Sequence, residues 1–346
     1  MSTQPTLKEG LVPLSGDFVF RAPTLADLEA LTDLYNDYWE ILFGLRGFTV
    51  AEMHRMLTTP GFDLQTSMRV VIAPGGRMAG SIMVRDMACP PVHPGVFGCV
   101  HADLEGQGIG TRMLQWAIER ARQAVARVPD GVRVSAHFTG SSTHEPTRRL
   151  FEKLDLKLMR HFWFMSIDLD KAPPEPAWPD GLVIRTYEER PDLRAVYRAV
   201  DDAFQDTWGH VHREEEDGLA RWQRRVEDDA NFDPSLWFLA LDGDEIAALA
   251  LCAPKTGDDV DMGFVEYVAV RRRWRRRGFG LGLLQHVFGE FYRRGRKRAS
   301  LSVDAESLTG AMRLYEKAGM RVARQTDAYE LELREGDELG TREVGN

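Results

Sequence analysis

Only three cysteines occur in the 346 residues, Cys89, Cys99 and Cys252, and none belongs to a Cys-x-x-Cys pair. That excludes a disulfide framework and fits a reducing, cytoplasmic setting. No apolar run is long enough to span a bilayer, and the polar stretch Met1 to Gly10 holds no apolar signal core, so no membrane partner is expected. Positive charge is in deficit. The 44 Lys and Arg stand against 53 Asp and Glu, a formal net charge of −9. The chain as a whole does not read as a nucleic-acid binder, and no nucleic-acid partner is expected.

Against that background the arginines gather in one place. Val268-Ala269-Val270 is followed by Arg271 to Arg273, Trp274, Arg275 to Arg277, and then Gly278-Phe279-Gly280-Leu281-Gly282. An apolar strand thus runs into a basic, glycine-spaced turn that opens a leucine-rich helix. Free N–H groups and the positive dipole end at a helix start attract anionic oxygens. Glycine lets the backbone approach closely, and arginine adds charge-assisted donors for pyrophosphate. Two other readings compete. The arginines around Trp274 suit a local nucleic-acid patch. A dinucleotide fold needs Gly-x-Gly-x-x-Gly with an acid about 20 residues on. Asp304 meets the second condition, but the glycines here are spaced Gly-x-Gly-x-Gly.

A second element follows at Leu301-Ser302-Val303-Asp304, a strand, and Ala311-Met312-Arg313-Leu314-Tyr315-Glu316-Lys317-Ala318-Gly319-Met320, a helix closed by a glycine cap. Arg-x-x-Gly-x-Gly after a Val-x-Val strand, then a helix with Leu-Tyr and a terminal glycine, resembles the acetyl-CoA-binding pattern of the GNAT acetyltransferases. Leu314 and Tyr315 by themselves fit an ordinary amphipathic helix face. Both motifs in order are what carries the resemblance.

The chain also repeats itself. Phe18-Val19-Phe20-Arg21 matches Leu182-Val183-Ile184-Arg185, and Val100 to Gly110 matches the basic loop. Leu150 to Leu156 matches Leu314 to Met320. A shift of 164 residues relates Arg21 to Arg185 and Phe151 to Tyr315, and 170 relates Gly108 to Gly278. This is a duplicated domain, not a solenoid. The expected division is 1–170, a degenerate N-terminal copy; 171–180, a proline-rich linker; 181–335, a catalytic C-terminal copy; and 336–346, a flexible tail. In the second copy, strands are expected at Leu182 to Thr186, Leu236 to Leu241, Glu245 to Cys252, Phe264 to Val270, Ala299 to Val303 and Ala328 to Leu333. Helices are expected at Pro191 to Ala203, His212 to Val226, Leu281 to Arg293 and Thr309 to Ala318. This order predicts an α/β class with two tandem domains, each a mixed, largely antiparallel sheet flanked by helices. The resemblance adds the splayed central strands of the GNAT fold.

What the resemblance implies can be placed residue by residue. Acetyl-CoA is the expected co-substrate. It is to be held by Val268, Ala269, Val270, Arg275, Arg276, Arg277, Gly278, Phe279, Gly280, Leu281, Gly282 and Ser307. Ser307 stands where the family often has Asn. Backbone N–H groups of Val268 to Val270 are to stabilise the carbonyl oxygen, and Tyr315 is to protonate the leaving thiolate. From its own position, Glu266 is a candidate base. Even spacing puts it on a face with Val268 and Val270, although an exposed strand glutamate reads equally well. Asp261 is a weaker alternative.

The first copy departs from the pattern. Glu105 replaces the loop arginine, Phe151 the tyrosine and Asp155 the capping glycine, and His144 stands in the Asn region. Gly106, Gly108 and Gly110 remain. This resembles tandem family members with one working and one silent domain. His210-Val211-His212 with Glu214 to Glu216 is a minority metal reading. Asp201, Asp202, Asp206 and Trp208 are acceptor-site candidates that also fit an exposed acidic face. Arg293 to Arg298 end a helix, where complementing its dipole needs no ligand. Two functions follow: an N-acetyltransferase acting on a small-molecule or peptide amine, or a non-catalytic CoA-binding scaffold.

Overall fold

The computed structural model describes residues 14, 16–179, 181–205, 207, 214–229, 231–257, 259–306 and 310–339. The chain divides into two compact units. One comprises 1–161 and 325–338, the other 162–324 and 339–346.

The first unit opens with β1 (Val19–Arg21), α1 (Leu28–Phe43), α2 (Val50–Leu57), the short α3 (Leu64–Ser67), β2 (Met68–Ile72), β3 (Met78–Arg85) and β4 (Gly95–Val100). It continues with α4 (Ile109–Arg122), β5 (Val134–Ser141), α5 (Glu145–Lys153) and the start of β6 (Lys157–Asp168). The second unit contains the rest of β6, β7 (Leu182–Thr186), α6 (Leu193–Phe204), α7 (Glu215–Asp228), β8 (Trp237–Asp242), β9 (Glu245–Ala253) and β10 (Met262–Val270). After these come α8 (Phe279–Arg293), β11 (Arg298–Asp304), α9 (Ala311–Lys317) and β12 (Arg321–Arg334), which leaves the unit at its far end. The expected elements of the second copy are all present, with ends shifted by a few residues, most at the start of β12.

The strand order is β1-β2-β3-β4-β5-β12 in the first unit and β7-β8-β9-β10-β11-β6 in the second. Both sheets are antiparallel except for one parallel pair each, β4–β5 and β10–β11. A helix crosses over between the members of each parallel pair, α4 and α8, as parallel neighbours require. The last strand of each repeat has changed places. Thr326 to Arg334 of β12 pair with β5 in the first unit, and Phe162 to Asp168 of β6 pair with β11 in the second. The polypeptide beyond β12 is fastened too. Asp337 accepts from the Arg133 amide at 2.8 Å and donates to Gly131 O at 2.7 Å, so this part of the expected tail is held.

Each sheet buries both faces. In the second unit α8 covers one face through Phe279, Leu283, Val287, Phe288 and Phe291, all at most 3% exposed. These fall on one stripe of α8, as a core-facing helix demands. Val196 and Val200 of α6 cover the other face with Trp237 and Leu249. No helix among the described residues is long and apolar enough to cross a membrane.

Candidate active site

The parallel pairs are where each sheet opens. β10 is bonded to β11 only from Met262 to Val265, although β10 runs to Val270 and β11 to Asp304. Past Val265 the strands part, while β9 stays paired with β10 to Val270. Backbone groups on the β11 side of Glu266 to Val270 are thereby released from the ladder. β4 and β5 part in the same way after Val96.

The register shifts between Val265 and Tyr267, so Glu266 is the extra residue of a bulge. Val265, Val268 and Val270 pack with the α8 core, while Tyr267 and Ala269 pack with the α6 side. Even spacing therefore does not settle the face of Glu266. A bulge cannot be read from alternation, so spacing alone does not put Glu266 on the face of Val268 and Val270. The Glu266 carboxylate does lie within electrostatic reach of Cys252, whose thiol is pushed well up, first by burial and then by that charge. Asp261 precedes β10, at the end where β10 and β11 are still paired, and its carbonyl accepts from the Lys297 and Arg298 amides. The splay is at the opposite end of the strand.

The loop after β10 bends through two left-handed residues, Arg276 (φ 63°) and Gly278 (φ 89°). The matching residues of the first copy, Gly106 and Gly108, have φ 76° and 82°. Gly278 is the N-cap of α8, makes no side-chain cap bond, and has open space where a Cβ would stand. Among the described residues the first amides of α8 have no side-chain cap from the N-cap position. Arg276 holds a backbone conformation that costs a non-glycine residue on the order of 1–2 kcal/mol. It and Arg277 are exposed, and among the described residues neither pairs with a carboxylate. The fit to a polyanionic pyrophosphate is therefore good.

Other motif residues serve the fold. Arg275 donates from Nε to Val270 O at 3.2 Å and from its terminal nitrogen to Ala203 O at 2.9 Å, bracing the loop. A Cβ on Gly280 would meet Leu314 Cδ2 at 2.8 Å, and one on Gly110 would meet Leu150 Cδ2 at the same distance. This glycine lets α9 pack on α8, and α5 on α4, in both copies. Gly282 faces Trp178 of the proline-rich segment, which sequence reasoning did not connect to α8. Trp274 is 1% exposed and donates to Asp242 at 2.8 Å, so it offers no ring to a nucleic-acid base. Asp202 is bound to Arg271 at 2.7 Å. Of the arginines between the end of α8 and the start of β11, Arg294 pairs with Asp233 and Arg298 with Asp259. Ser307, Asp206, Trp208, His210 and His212 lie outside the described residues.

Tyr315 sits on α9 in the α8-side core, 7% exposed, in one cluster with Leu301 of β11. Val268 and Val270 of β10 pack against the same cluster. Burial pushes its phenol up to about 12, so it stays protonated at neutral pH. Its hydroxyl has no hydrogen-bond partner among the described residues. The counterpart Phe151 packs edge-on against Phe138 and Tyr329, with no proton to give. Asp155 takes the left-handed φ of 58° that its counterpart Gly319 takes at 94°.

The sequence profile of the Acetyltransferase (GNAT) family matches residues 28–155 and again 193–320. The chain belongs to the GNAT acetyltransferase family. It is accordingly an acyltransferase built from two GNAT domains. It is 30% identical over 257 residues to a mycothiol acetyltransferase of Streptomyces bingchenggensis, covering 71% of this chain and 75% of the relative. It is 28% identical over 223 residues to the mycothiol acetyltransferase of Thermobispora bispora, with 64% and 70% covered. A GCN5-related N-acetyltransferase structure from Sphaerobacter thermophilus superposes with a TM-score of 0.79 at 35% identity, over 93% of this chain and 97% of that one. A tandem GNAT protein from the clavulanic acid biosynthesis pathway shares the fold, with a TM-score of 0.66 at 13% identity, over 93% of this chain and all of the other.

Proposed function

We propose that this GNAT protein transfers the acetyl group of acetyl-CoA to a primary amine of a small molecule, and that the chemistry runs in the C-terminal copy. The observation that carries this reading is the contrast between the two copies: Tyr315, whose hydroxyl has no hydrogen-bond partner among the described residues, against Phe151, and Arg275 to Arg277 against Glu105 to Gln107. The relatives named for mycothiol acetylation support a small-molecule acceptor over a peptide. The free thiols of Cys89, Cys99 and Cys252 accord with a cytoplasmic site of action.

When bound, acetyl-CoA supplies an activated acetyl thioester. Arg276, Arg277 and the first amides of α8 hold its pyrophosphate. Arg275 keeps the loop in the shape that presents them. Amides released at the splay of β10, among Val268 to Val270, donate to the carbonyl oxygen as negative charge develops there. Glu266 takes the proton of the acceptor ammonium, because only the free amine has the lone pair needed for attack. The Tyr315 hydroxyl gives its proton to the departing sulfur.

Thiol release from acetyl-CoA in the presence of a panel of small amines tests the reading. Amine-dependent release with matching acetylated product is expected. Acetyl-CoA binding with no turnover across a broad panel would leave only a binding role.

A further inference from the structure

Where β4 and β5 begin, at the end of the first sheet away from its splay, polar side chains surround one buried hydroxyl. Ser135 Oγ lies 3.1 Å from His93 Nδ1, 3.2 Å from His137 Nε2 and 3.1 Å from a terminal nitrogen of Arg133, and Ser135 is 0% exposed. The two imidazoles stack, with centroids 4.3 Å apart and planes at 18°. Arg133, its side chain 7% exposed, pairs with Glu330 and Glu332 of β12 and with Glu338 beyond it. The backbone of Asp337 is bonded to Gly131 and Arg133 at the same place. The cluster thus ties residues 337–338 to the entry of β5, and none of these side chains serves the transfer chemistry proposed above.

We propose that this cluster is a proton-sensitive latch: neutral His93 keeps residues 337–338 fastened, and its protonation loosens them. A serine hydroxyl has one proton and two lone pairs, and a guanidinium can only donate. Arg133 therefore fills one lone pair of Ser135, one imidazole donates into the other, and the second imidazole accepts the hydroxyl proton. His93 Nε2 faces Glu338 Oε1 at 3.5 Å, where a lone pair would meet negative charge. His93 thus carries its proton on Nε2 and accepts at Nδ1, while His137 donates from Nε2. A second proton on His93 must enter at Nδ1, which leaves three donors for two lone pairs of Ser135. It also sets a cation beside Arg133 and against the stacked His137 ring. Displacing Arg133 releases its carboxylates, Glu338 among them. Burial holds the His93 pKa below its ordinary value, and Arg133 adds to this against the pull of Glu338 and Glu330. The sign follows from linkage. The opened latch takes up the proton at about pH 6.5 and the closed one only at lower pH, so closure is strongest above about pH 6.5 and weakens as pH falls.

Amide hydrogen exchange of the full chain tests this, with protection at Arg133 and Asp337 taken relative to intrinsic rates at about pH 7.5 and about pH 5.5, above the range in which carboxylates protonate. One proton taken up on opening lowers protection by up to about tenfold per pH unit, so a fall of about fivefold or more is expected. The β8–β9 ladder of the second unit should hold its protection within about threefold over the same interval. His93→Gln keeps an amide that can accept and donate but does not titrate, and should reduce the fall to less than about twofold. Titration of the His93 ring by NMR, read on the unaltered chain, should give a midpoint below about 6.5. A midpoint at or above that value overturns the proposal whether or not the variant folds. So does protection that is constant or rises on acidification, since Glu338 then holds the cation. A fall that persists in His93→Gln, or that is equal in the β8–β9 ladder, overturns it as well.

Discussion

Tyr315→Phe removes one hydroxyl from a ring that is 7% exposed and packed among Leu301, Leu283 and Phe288. The ring contacts remain. The hydroxyl has no hydrogen-bond partner among the described residues, so its loss orphans no buried group, and folding stability should change by less than about 1 kcal/mol. CoA affinity should be unchanged within about threefold, because the proposed phosphate contacts lie on another loop. The chemical step is different. A positioned general acid contributes about 10²–10⁴-fold, so kcat should fall at least about 100-fold, equivalent to about 2.7 kcal/mol of transition-state stabilisation. Steady-state thiol release with a saturating amine, followed by single-turnover measurement, isolates this step. A thioester with a more acidic leaving thiol should shrink the defect, since a better leaving group needs less help from an acid. Because the phenol stays protonated to about pH 12, the wild-type kcat profile should show no falling limb from Tyr315 below about pH 11. Activity within threefold of wild type for Tyr315→Phe, with any leaving group, would refute the reasoning.

Glu266→Gln should remove most activity near neutral pH and recover part of it in alkali, where solvent deprotonates the amine. An unaltered kcat/KM profile against pH would clear Glu266 of the role. Gly280→Val should destabilise the chain by about 1–3 kcal/mol by overpacking Leu314, and Gly110→Val should do the same against Leu150. Denaturant melts of the two variants check this, and a stable Gly280→Val chain with lost CoA binding would assign that glycine to the ligand instead.

The duplication, both loop motifs and the helix bearing Tyr315 were legible because they are local patterns with fixed spacing. The strand exchange was not. β6 and β12 each carry the pattern of a strand, and nothing in a strand's own residues says which neighbour it pairs with. The bulge at Glu266 was hidden for a related reason, since alternation assumes two residues per repeat and one extra residue changes the face of everything beyond it. The glycines were legible as a group but not by role. Gly278 is required by its φ and leaves open space, whereas Gly280 and Gly282 are required by Leu314 and Trp178, which lie far away in sequence. Arg275 likewise matched the motif, while its partners, the carbonyls of Val270 and Ala203, come from the folded loop.

The central claim is that the C-terminal copy performs the transfer. Gly278 and Gly108 form a matched pair, with φ of 89° and 82° and nothing within 4 Å of an added Cβ. Valine at either position carries similar backbone strain and differs only in which copy's proposed phosphate seat it fills. Acetyl transfer by the two variants, measured as thiol release with product confirmed by mass, tests the claim most directly. Gly278→Val should abolish transfer, and Gly108→Val should retain most of it. Loss with Gly108→Val and retention with Gly278→Val would contradict the account and move the chemistry to the other copy.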